Sequence, residues 1–494
     1  MTGTPRPGDD LIRRYAAAGS VSNAQRRRRA ARAFLDHFGD PAGWQNTAVA
    51  DQLAADPICS GFVAWLIVTA QVAPTADYLL ACRGRLAAIG DVAHPQLSAE
   101  FLLTGEQLGY PTVIVRRQWS ALLQVAALCR AAPTRLSSEQ ISNALSEFRT
   151  TADRLGHNRS RNLSGELFGA QSVLFHLGLL DRLPVRGNGR DGRRAADWAR
   201  ISERAPTIAA TITDYLDQLS VRLRPNSLKT IDTALRLFAG YLVDHHPDIT
   251  AIADVRRTHV QGYKSWLAAR HGHRGPVLAN QTLRGRLGTL AAFFARLDDL
   301  DITDAPTKSP ILRSDLPIKD NPLPRFIDDA ASAKLHAAAQ EHPDLFTRTA
   351  VELLARTGIR KSELLGLTTD AVVQIGSSYW LRIPVGKLHT DRYVPLHPQL
   401  KTLLDQWLAQ RSDTTRSNLM FLERGRQINA SRLDTALASC AANAGIGHVT
   451  AHQLRHTLAT QAKVRGIAFD ASFDVVDDRD TVKDLGFRGL TATA

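Results

Sequence analysis

The chain has 494 residues, of which 44% are apolar and 22% charged, so it has ample material for buried cores and is long enough for about three domains. This composition excludes a wholly disordered chain, a collagen-like repeat and a disulfide-rich miniprotein. The 61 Lys and Arg residues exceed the 48 Asp and Glu residues by 13, which favours a polyanionic partner.

The cysteines and the most apolar segment both favour a cytoplasmic protein without a membrane span. Cys59, Cys82, Cys129 and Cys440 stand far apart with no CxxC pair, so neither a zinc ribbon nor a disulfide framework is expected. The uncharged stretch 57–76 contains two prolines and has acidic flanks, which predicts a buried core helix. The first residues are polar and lack the apolar run of a signal peptide.

Residues 1–185 show helical spacing of apolar residues and are predicted to form a helical N-terminal region of unknown role. The run Arg26–Arg29 is either a phosphate-binding face or an ordinary solvated helix face, and the sequence does not separate these alternatives. Residues 186–205 begin with a basic, glycine-rich break and are predicted to be a linker. Gly187, Gly189 and Gly192 match GxGxxG, but a helical pattern precedes them, so a dinucleotide site is rejected.

Residues 206–300 are predicted to form a helical domain. In one helix, five apolar residues share a face: Leu228, Ile231, Leu235, Phe238 and Leu242. A later helix has the equivalent stripe of Leu283, Leu287, Leu290, Phe294 and Leu297. Arg284 and Arg286 lie opposite that stripe, free to meet a DNA groove, and Lys229 is the third candidate contact. An ordinary bundle with solvated arginines would show the same spacing.

A proline-rich linker is predicted over residues 301–325. Its five prolines are incompatible with a continuous helix and indicate an extended, semi-stiff connector at a domain boundary.

Residues 326–465 carry mixed helix and strand patterns. A helix is predicted over 345–356, stopping at Thr357 and Gly358, then a hairpin of strands 379–385 and 392–396, then helices around 398–410, 431–444 and 451–465. The whole chain is therefore predicted to be multidomain and mainly α: a helical N-terminal region, a helical domain over residues 206–300 and an α+β domain with a small β-hairpin sheet. An acidic tail, 466–494, follows.

Two segments of this last domain place cations at turns. In ARTGIRKSELLGL, residues 355–367, Gly358 permits a tight turn and Arg360 stands at the start of a helix, where anions are attracted. In VGKLHTDRYVPL, residues 385–396, Lys387 stands at the hairpin tip, where it is either a solubilising residue or a proton donor to a neighbouring site. Each segment alone is most often structural.

A third segment, TAHQLRHTLATQ, spans residues 450–461. His452 and Arg455 stand three positions apart and share a helix face, and their juxtaposition makes best sense around a phosphate. His456 is expected to point elsewhere, as a buried structural histidine.

Together the three segments resemble the tyrosine recombinase, or phage integrase, family, whose catalytic domain carries Arg, then Lys on a hairpin, then His-x-x-Arg. The similarity extends from about residue 206 to 465, with residues 206–300 similar to the family's core-binding domain. The resemblance implies that Arg360, Lys387, His452 and Arg455 are catalytic, with no metal and no cofactor. It also implies a double-stranded DNA partner, a homo-oligomer that is tetrameric on recombination sites if active, and a nucleoid-associated location.

The sequence departs from the family after Arg455. The family places a nucleophilic tyrosine there, whereas the last tyrosine of this chain is Tyr393. Residues 466–494 contain six aspartates and only three Lys or Arg residues. This negative net charge suits neither a phosphate pocket nor a helix that carries the nucleophile. We therefore expect a C-terminus replaced by frameshift or rearrangement near Arg465.

The favoured interpretation is a site-specific DNA recombinase of this family that is catalytically incomplete in this chain. The alternative is a non-catalytic DNA-binding protein that occupies recombination sites as a competitor or architectural partner. A helical scaffold with incidental motifs is the third interpretation, and it would show no salt-dependent affinity for DNA.

Overall fold

The computed structural model describes residues 8–19, 21–82, 86–156, 159–184, 190–271, 277–297, 304–319, 326–384 and 391–464. Helices dominate these residues, with two small sheets, so the protein is mainly α, as the sequence predicts. The chain divides into two compact units. The first unit combines the residues up to 185 with those from 324 onward, and the second holds residues 186–323.

The N-terminal region of the first unit is entirely helical in its described part. Its α-helices are α1 (Asp9–Ala17), α2 (Ala24–Phe38), α3 (Pro41–Gln45), α4 (Val49–Val68), α5 (Ala76–Ala81), α6 (Leu86–Ala93), α7 (Pro95–Gln107), α8 (Thr112–Leu128), α9 (Ser138–Arg154) and α10 (Arg159–His176). Large aromatic side chains fill its core, among them Phe62, Trp119 and Phe148, each at most 1% exposed. Their burial supplies most of the stabilising free energy of such a bundle.

Helix α4 explains the uncharged stretch. Residues 62–67 are all buried, so the helix is enclosed on every side and needs no polar face. No helix among the described residues is long and apolar enough to cross a membrane.

The second unit is a helical bundle. Its α-helices are α11 (Arg190–Arg204), α12 (Pro206–Ser220), α13 (Pro225–His245), α14 (Arg257–Ala268) and α15 (Asn280–Arg296). The predicted apolar stripes meet in its core, where Leu235, Phe238, Leu287 and Leu290 are at most 4% exposed. The unit therefore follows the ordinary rule that a helix buries its apolar face against a neighbour.

Two segments predicted as linkers are more ordered than expected. Residues 190–204 form helix α11, since Trp198 and Ile201 pack on the bundle and outweigh the preceding glycines. Residues 304–319 are not a free connector, because the carboxylate of Asp304 accepts backbone N–H groups of Ile252 and Ala253 at 3.0 and 2.7 Å. Proline density excludes a continuous helix here, but it does not exclude anchoring to a neighbouring surface.

The C-terminal region of the first unit mixes helices with small sheets. Its elements are α16 (Asp329–Gln340), α17 (Leu345–Thr357), α18 (Lys361–Leu365), β1 (Val372–Ile375), β2 (Ser378–Ile383), β3 (Arg392–Pro395), α19 (Pro398–Ala409), β4 (Leu422–Glu423), β5 (Arg426–Gln427), α20 (Ala430–Asn443) and α21 (Ala451–Val464). Strands β1, β2 and β3 form an antiparallel sheet in that order, with Leu381 opposite both Val372 and Val394. The predicted hairpin is therefore present as β2 and β3, and β1 is an additional edge strand that the sequence analysis missed.

Helix α17 lies at the centre of this region and contacts α16, α18, α19, α20 and α21. Its residues Ala350, Leu353 and Leu354 are completely buried. Because its last turn leads directly into Arg360, the most buried helix of the region fixes the position of the candidate site.

Candidate active site

The turn between α17 and α18 places Arg360. Gly358 ends α17 with φ 59°, a left-handed conformation that glycine adopts without steric cost. Ile359 is 1% exposed and anchors the turn in the core. Arg360 then takes an extended backbone (φ −73°, ψ 151°) as the residue that precedes the first turn of α18. The sequence Thr-Gly-Ile-Arg thus ends one helix and starts another at a fixed angle.

Glu363 is the buried carboxylate of this turn. It accepts the backbone N–H and the guanidinium of Arg360, both at 2.8 Å. It also accepts both Nη atoms of Arg392 on β3, at 3.2 and 2.7 Å. Burial favours a higher pKa for Glu363, but the hydrogen bonds from Arg392 and Arg360 outweigh it and lower that pKa to about 2. The carboxylate is therefore ionised at neutral pH and holds two guanidiniums in place.

Arg455 reaches the same turn from α21. It is 4% exposed, and its Nη1 donates to the carbonyl oxygen of Gly358 at 2.6 Å. Thr450 and Gln453 exchange hydrogen bonds and begin α21 just before it. The guanidiniums of Arg360, Arg392 and Arg455 thus lie at or next to the turn that holds the Glu363 carboxylate. Planar donors of this kind suit an anionic ligand with several oxygens.

The two histidines of α21 form a contacting pair. Nε2 of His452 lies 2.8 Å from Nε2 of His456, and the rings are nearly perpendicular at a centroid distance of 4.2 Å. The expectation that His456 points elsewhere as a buried residue is wrong, because residues four apart on a helix share a face. Burial, His452 and Arg455 all lower the pKa of His456, so it favours the neutral form.

Three of the four predicted catalytic residues lie within the described part of the chain. Arg360, His452 and Arg455 lie on the α17–α18 turn and on the helix that contacts it. Lys387 falls within residues 385–390, which lie outside the described residues, as does the acidic tail from 465 onward.

The predicted DNA contacts of the second unit have intramolecular neighbours. Arg284 donates from Nη1 to the carbonyl oxygen of Pro317. Burial lowers the pKa of Arg286, which lies near Tyr263 and Arg270. Lys229 is half-buried on α13. Segment 304–319 packs against these helices, which periodicity within a single helix does not reveal.

Arg392 is the site residue that the sequence analysis missed. A weak signal was present: in Arg392-Tyr393-Val394 the alternation puts the arginine on the same strand face as buried Val394. Its partner Glu363 lies 29 residues earlier in the chain. A sequence pattern within one helix or strand does not predict a contact over that distance.

The described residues contain no group of three or more His, Cys, Asp or Glu residues close enough to hold a metal ion. Cys59, Cys82, Cys129 and Cys440 are not joined in disulfides.

Comparisons with known proteins identify relatives of part of the chain. Residues 325–470 match the phage integrase family. The tyrosine recombinase XerC of Pelobacter propionicus is 28% identical over 245 residues, which cover 48% of this chain and 76% of that protein. XerC of Corynebacterium efficiens is 33% identical over 143 residues, covering 28% of this chain and 45% of that protein.

Solved structures show a more distant likeness. A XerH site-specific recombinase bound to its difH substrate is 20% identical, with 51% of this chain and 76% of that chain covered and a TM-score of 0.40. Lambda integrase residues 75–356 bound to DNA are 15% identical. The match covers 56% of this chain and 93% of that chain, with a TM-score of 0.41.

Proposed function

The chain carries a phage integrase family domain at residues 325–470, and on that premise we propose that it is a site-specific DNA recombinase or integrase of the tyrosine type. The observation that carries the proposal is the 2.6 Å hydrogen bond from Arg455 to Gly358, which brings the second arginine to the turn of Arg360. Its ligand in this proposal is a phosphodiester of double-stranded DNA.

The proposed chemistry is phosphoryl transfer. In the transition state, negative charge collects on the nonbridging oxygens of the phosphate, and Arg360 and Arg455 each offer a planar set of donors to them. Loss of one such donor costs on the order of 3 kcal/mol, about a hundredfold in rate. His452 assists at the phosphate, and Lys387 is the proposed proton donor to the departing 5′-oxygen.

Glu363 and Arg392 support this arrangement without contacting the phosphate themselves. Arg392 shares the ionised carboxylate with Arg360, so the guanidinium of Arg360 is held in a fixed orientation. A phosphate that approaches Arg360 therefore meets an already oriented guanidinium, which is the condition for electrostatic preorganisation.

We further propose that the polypeptide of this sequence is catalytically incomplete. A tyrosine-type recombinase forms a phosphotyrosine intermediate, and no tyrosine follows Arg455 here. The family match ends at residue 470, and the remaining residues are rich in aspartate. The second candidate function, a non-catalytic competitor or architectural partner at recombination sites, rests on the same observation.

Covalent trapping on DNA separates these functions. The chain is incubated with a nicked duplex taken from the ends of its own mobile element, and the products are run on native and on denaturing gels. We expect a retarded complex on the native gel and no protein–DNA adduct under denaturing conditions. Arg455→Ala weakens the complex, whereas Arg382→Ala, which removes a surface ion pair with Asp370, leaves it unchanged.

Either of two results contradicts the proposal. A covalent adduct shows that another residue replaces the tyrosine and that the chain is a complete enzyme. If no retarded complex forms on DNA from the element, both the recombinase function and the competitor function are rejected.

A further inference from the structure

Helix α10 ends against a hairpin of the C-terminal region. His176, the last residue of α10, is 6% exposed. Its Nε2 lies 2.7 Å from the carbonyl oxygen of Gly425, in the turn between β4 and β5, and its Nδ1 accepts the backbone N–H of Arg416 at 3.0 Å. One imidazole therefore joins two backbone sites that lie some 240 and 249 residues further along the chain.

The two bonds determine the protonation state of His176. A carbonyl oxygen can only accept, so Nε2 carries a proton and donates to Gly425. A backbone N–H can only donate, so Nδ1 presents its lone pair to Arg416. The contact therefore needs the neutral imidazole, because a second proton on Nδ1 would face the N–H of Arg416 and break that bond.

Further contacts surround this ring. The hydroxyl of Ser172 donates to the carbonyl oxygen of Arg424 at 3.3 Å. Nη1 of Arg416 donates to the carbonyl oxygen of Phe175 at 3.0 Å. The guanidinium of Arg426 lies 4.6 Å from the ring centroid of Phe168, and that of Arg424 lies 5.7 Å from the ring centroid of Tyr110. These cation–π contacts and hydrogen bonds hold the β4–β5 turn against α10 and the end of α7.

Gly425 permits the close approach. Its φ of +69° is left-handed, and an added Cβ would lie 2.7 Å from Nε2 of His176 and 2.9 Å from Leu108. No side chain fits between the turn and the imidazole.

We propose that the N-terminal region is a docking module for the β4–β5 turn and that protonation of His176 releases it. This gives residues 8–184 a role that the DNA-binding proposal does not supply. The docked hairpin also touches the candidate site, because Nε2 of Gln427 on β5 donates at 2.8 Å to the carbonyl oxygen of Leu365, the last residue of α18.

The charges around His176 reinforce the effect of its hydrogen bonds. Burial lowers the pKa of His176, the Gly425 carbonyl raises it, and Arg411 and Arg416 lower it. The β4–β5 turn adds two further positive charges near His176, those of Arg424 and Arg426. The carboxylate of Glu423 on β4 lies 3.9 Å from Nε of Arg432.

The pH dependence follows from this lowered pKa. A released His176 has its ordinary pKa of about 6.5, so protons favour the released state. Docking is then complete above about pH 6.5 and is lost as the pH falls through the lower pKa of the docked histidine.

Hydrogen exchange on the full chain tests the proposal. The protection of segments 170–180 and 413–427, corrected for intrinsic exchange rates, is compared at about pH 7.5 and about pH 5.5. We expect a loss of protection that approaches about tenfold, since pH 5.5 lies one unit below the ordinary pKa. His176→Gln keeps a donor and an acceptor without titrating, so its protection should not change with pH. His176→Phe should lose protection at both pH values, whereas His37→Phe, at an exposed histidine of α2, should behave as the unaltered chain.

A second pair of variants leaves the histidine in place. Gly425→Ala should remove protection at both pH values. Gly376→Ala is its matched control, with a similar φ of +62° in the β1–β2 turn but no atom within 4 Å of the added methyl group. Protection that is independent of pH in the unaltered chain, an equal fall in His176→Gln, or full protection in Gly425→Ala would each overturn the proposal.

Discussion

Glu363 is the residue on which the geometry of the candidate site depends. It is buried, and it joins the α17–α18 turn to strand β3 through Arg360 and Arg392. A carboxylate with two guanidinium partners is stable in the interior only when both partners stay in place. The two arginines and the glutamate should therefore respond to substitution as one group rather than separately.

Replacing Glu363 by Gln should lower the free energy of unfolding by on the order of 3 kcal/mol, because its pKa is lowered from its ordinary value to about 2. Since this pKa is lowered, the stabilisation is present above the ordinary pKa of about 4.3 and is lost as the pH falls towards 2. Urea unfolding at several pH values measures both effects. Glu341→Gln, at an exposed position just after α16, is the control, and an equal effect in both variants would contradict the assignment.

The histidine pair makes a second prediction at this scale. His452→Gln should raise the pKa of His456 towards its ordinary value, because His452 is one of the groups that lower it. NMR titration of the imidazole signals measures the change. His448→Gln, at an exposed position before α21, should leave that titration unaltered, and an unaltered titration in His452→Gln would mean that the two rings do not interact.

At the scale of elements, the proline-rich segment is held by ion pairs. Asp315 has a 3% exposed side chain and accepts Arg257 and Lys264 from α14. The hydrogen bond from Arg257 is the main reason why the pKa of Asp315 lies far below its ordinary value. This pairing makes the segment, whose single helical element is the 3-10 turn Arg313–Asp315, part of the bundle.

Asp315→Asn should therefore loosen the segment and lower the free energy of unfolding by about 2–4 kcal/mol. The wild-type contribution is present above the ordinary aspartate pKa of about 3.9 and declines in more acidic solution. Thermal unfolding combined with proteolysis of segment 304–319 measures the effect. Asp254→Asn, at an exposed aspartate of the same unit, provides the comparison, and unchanged proteolysis in Asp315→Asn would refute the anchoring role.

At the scale of the whole molecule, an excess of 13 positive charges gives the protein a long-range attraction for polyanions. The charge alone does not specify DNA. Arg360 is paired with Glu363, and Arg455 binds the carbonyl oxygen of Gly358 in the same turn, which is where we propose that a phosphate binds.

If the proposed partner is correct, affinity for duplex DNA should fall steeply with salt, by roughly a thousandfold between 50 and 200 mM salt if about six phosphates are contacted. Fluorescence anisotropy at several salt concentrations gives the slope. Binding that does not depend on salt would favour the interpretation as a helical scaffold.

The sequence predicted much of the fold because local signals determine local structure. Apolar spacing located helices α13 and α15 of the second unit, and Gly358 marked the end of α17. Strand β1 was missed, because its short edge strand leaves Gln374 and Ile375 exposed and so lacks a clear apolar face. Helix α11 was missed because the stability of a short polar helix depends on packing rather than on its own residues.

The candidate site divides in the same way. The sequence by itself determined which residue types were present, the spacing of Arg360, His452 and Arg455, and the absence of a tyrosine after Tyr393. Only the tertiary structure decided that Arg392 shares Glu363 with Arg360, that His456 faces His452 and that His176 binds the turn at Gly425. The physical reason is one of range: helix propensity and capping act over a few residues. A buried carboxylate or imidazole instead selects its partners by distance after the chain has folded, whatever their separation in sequence.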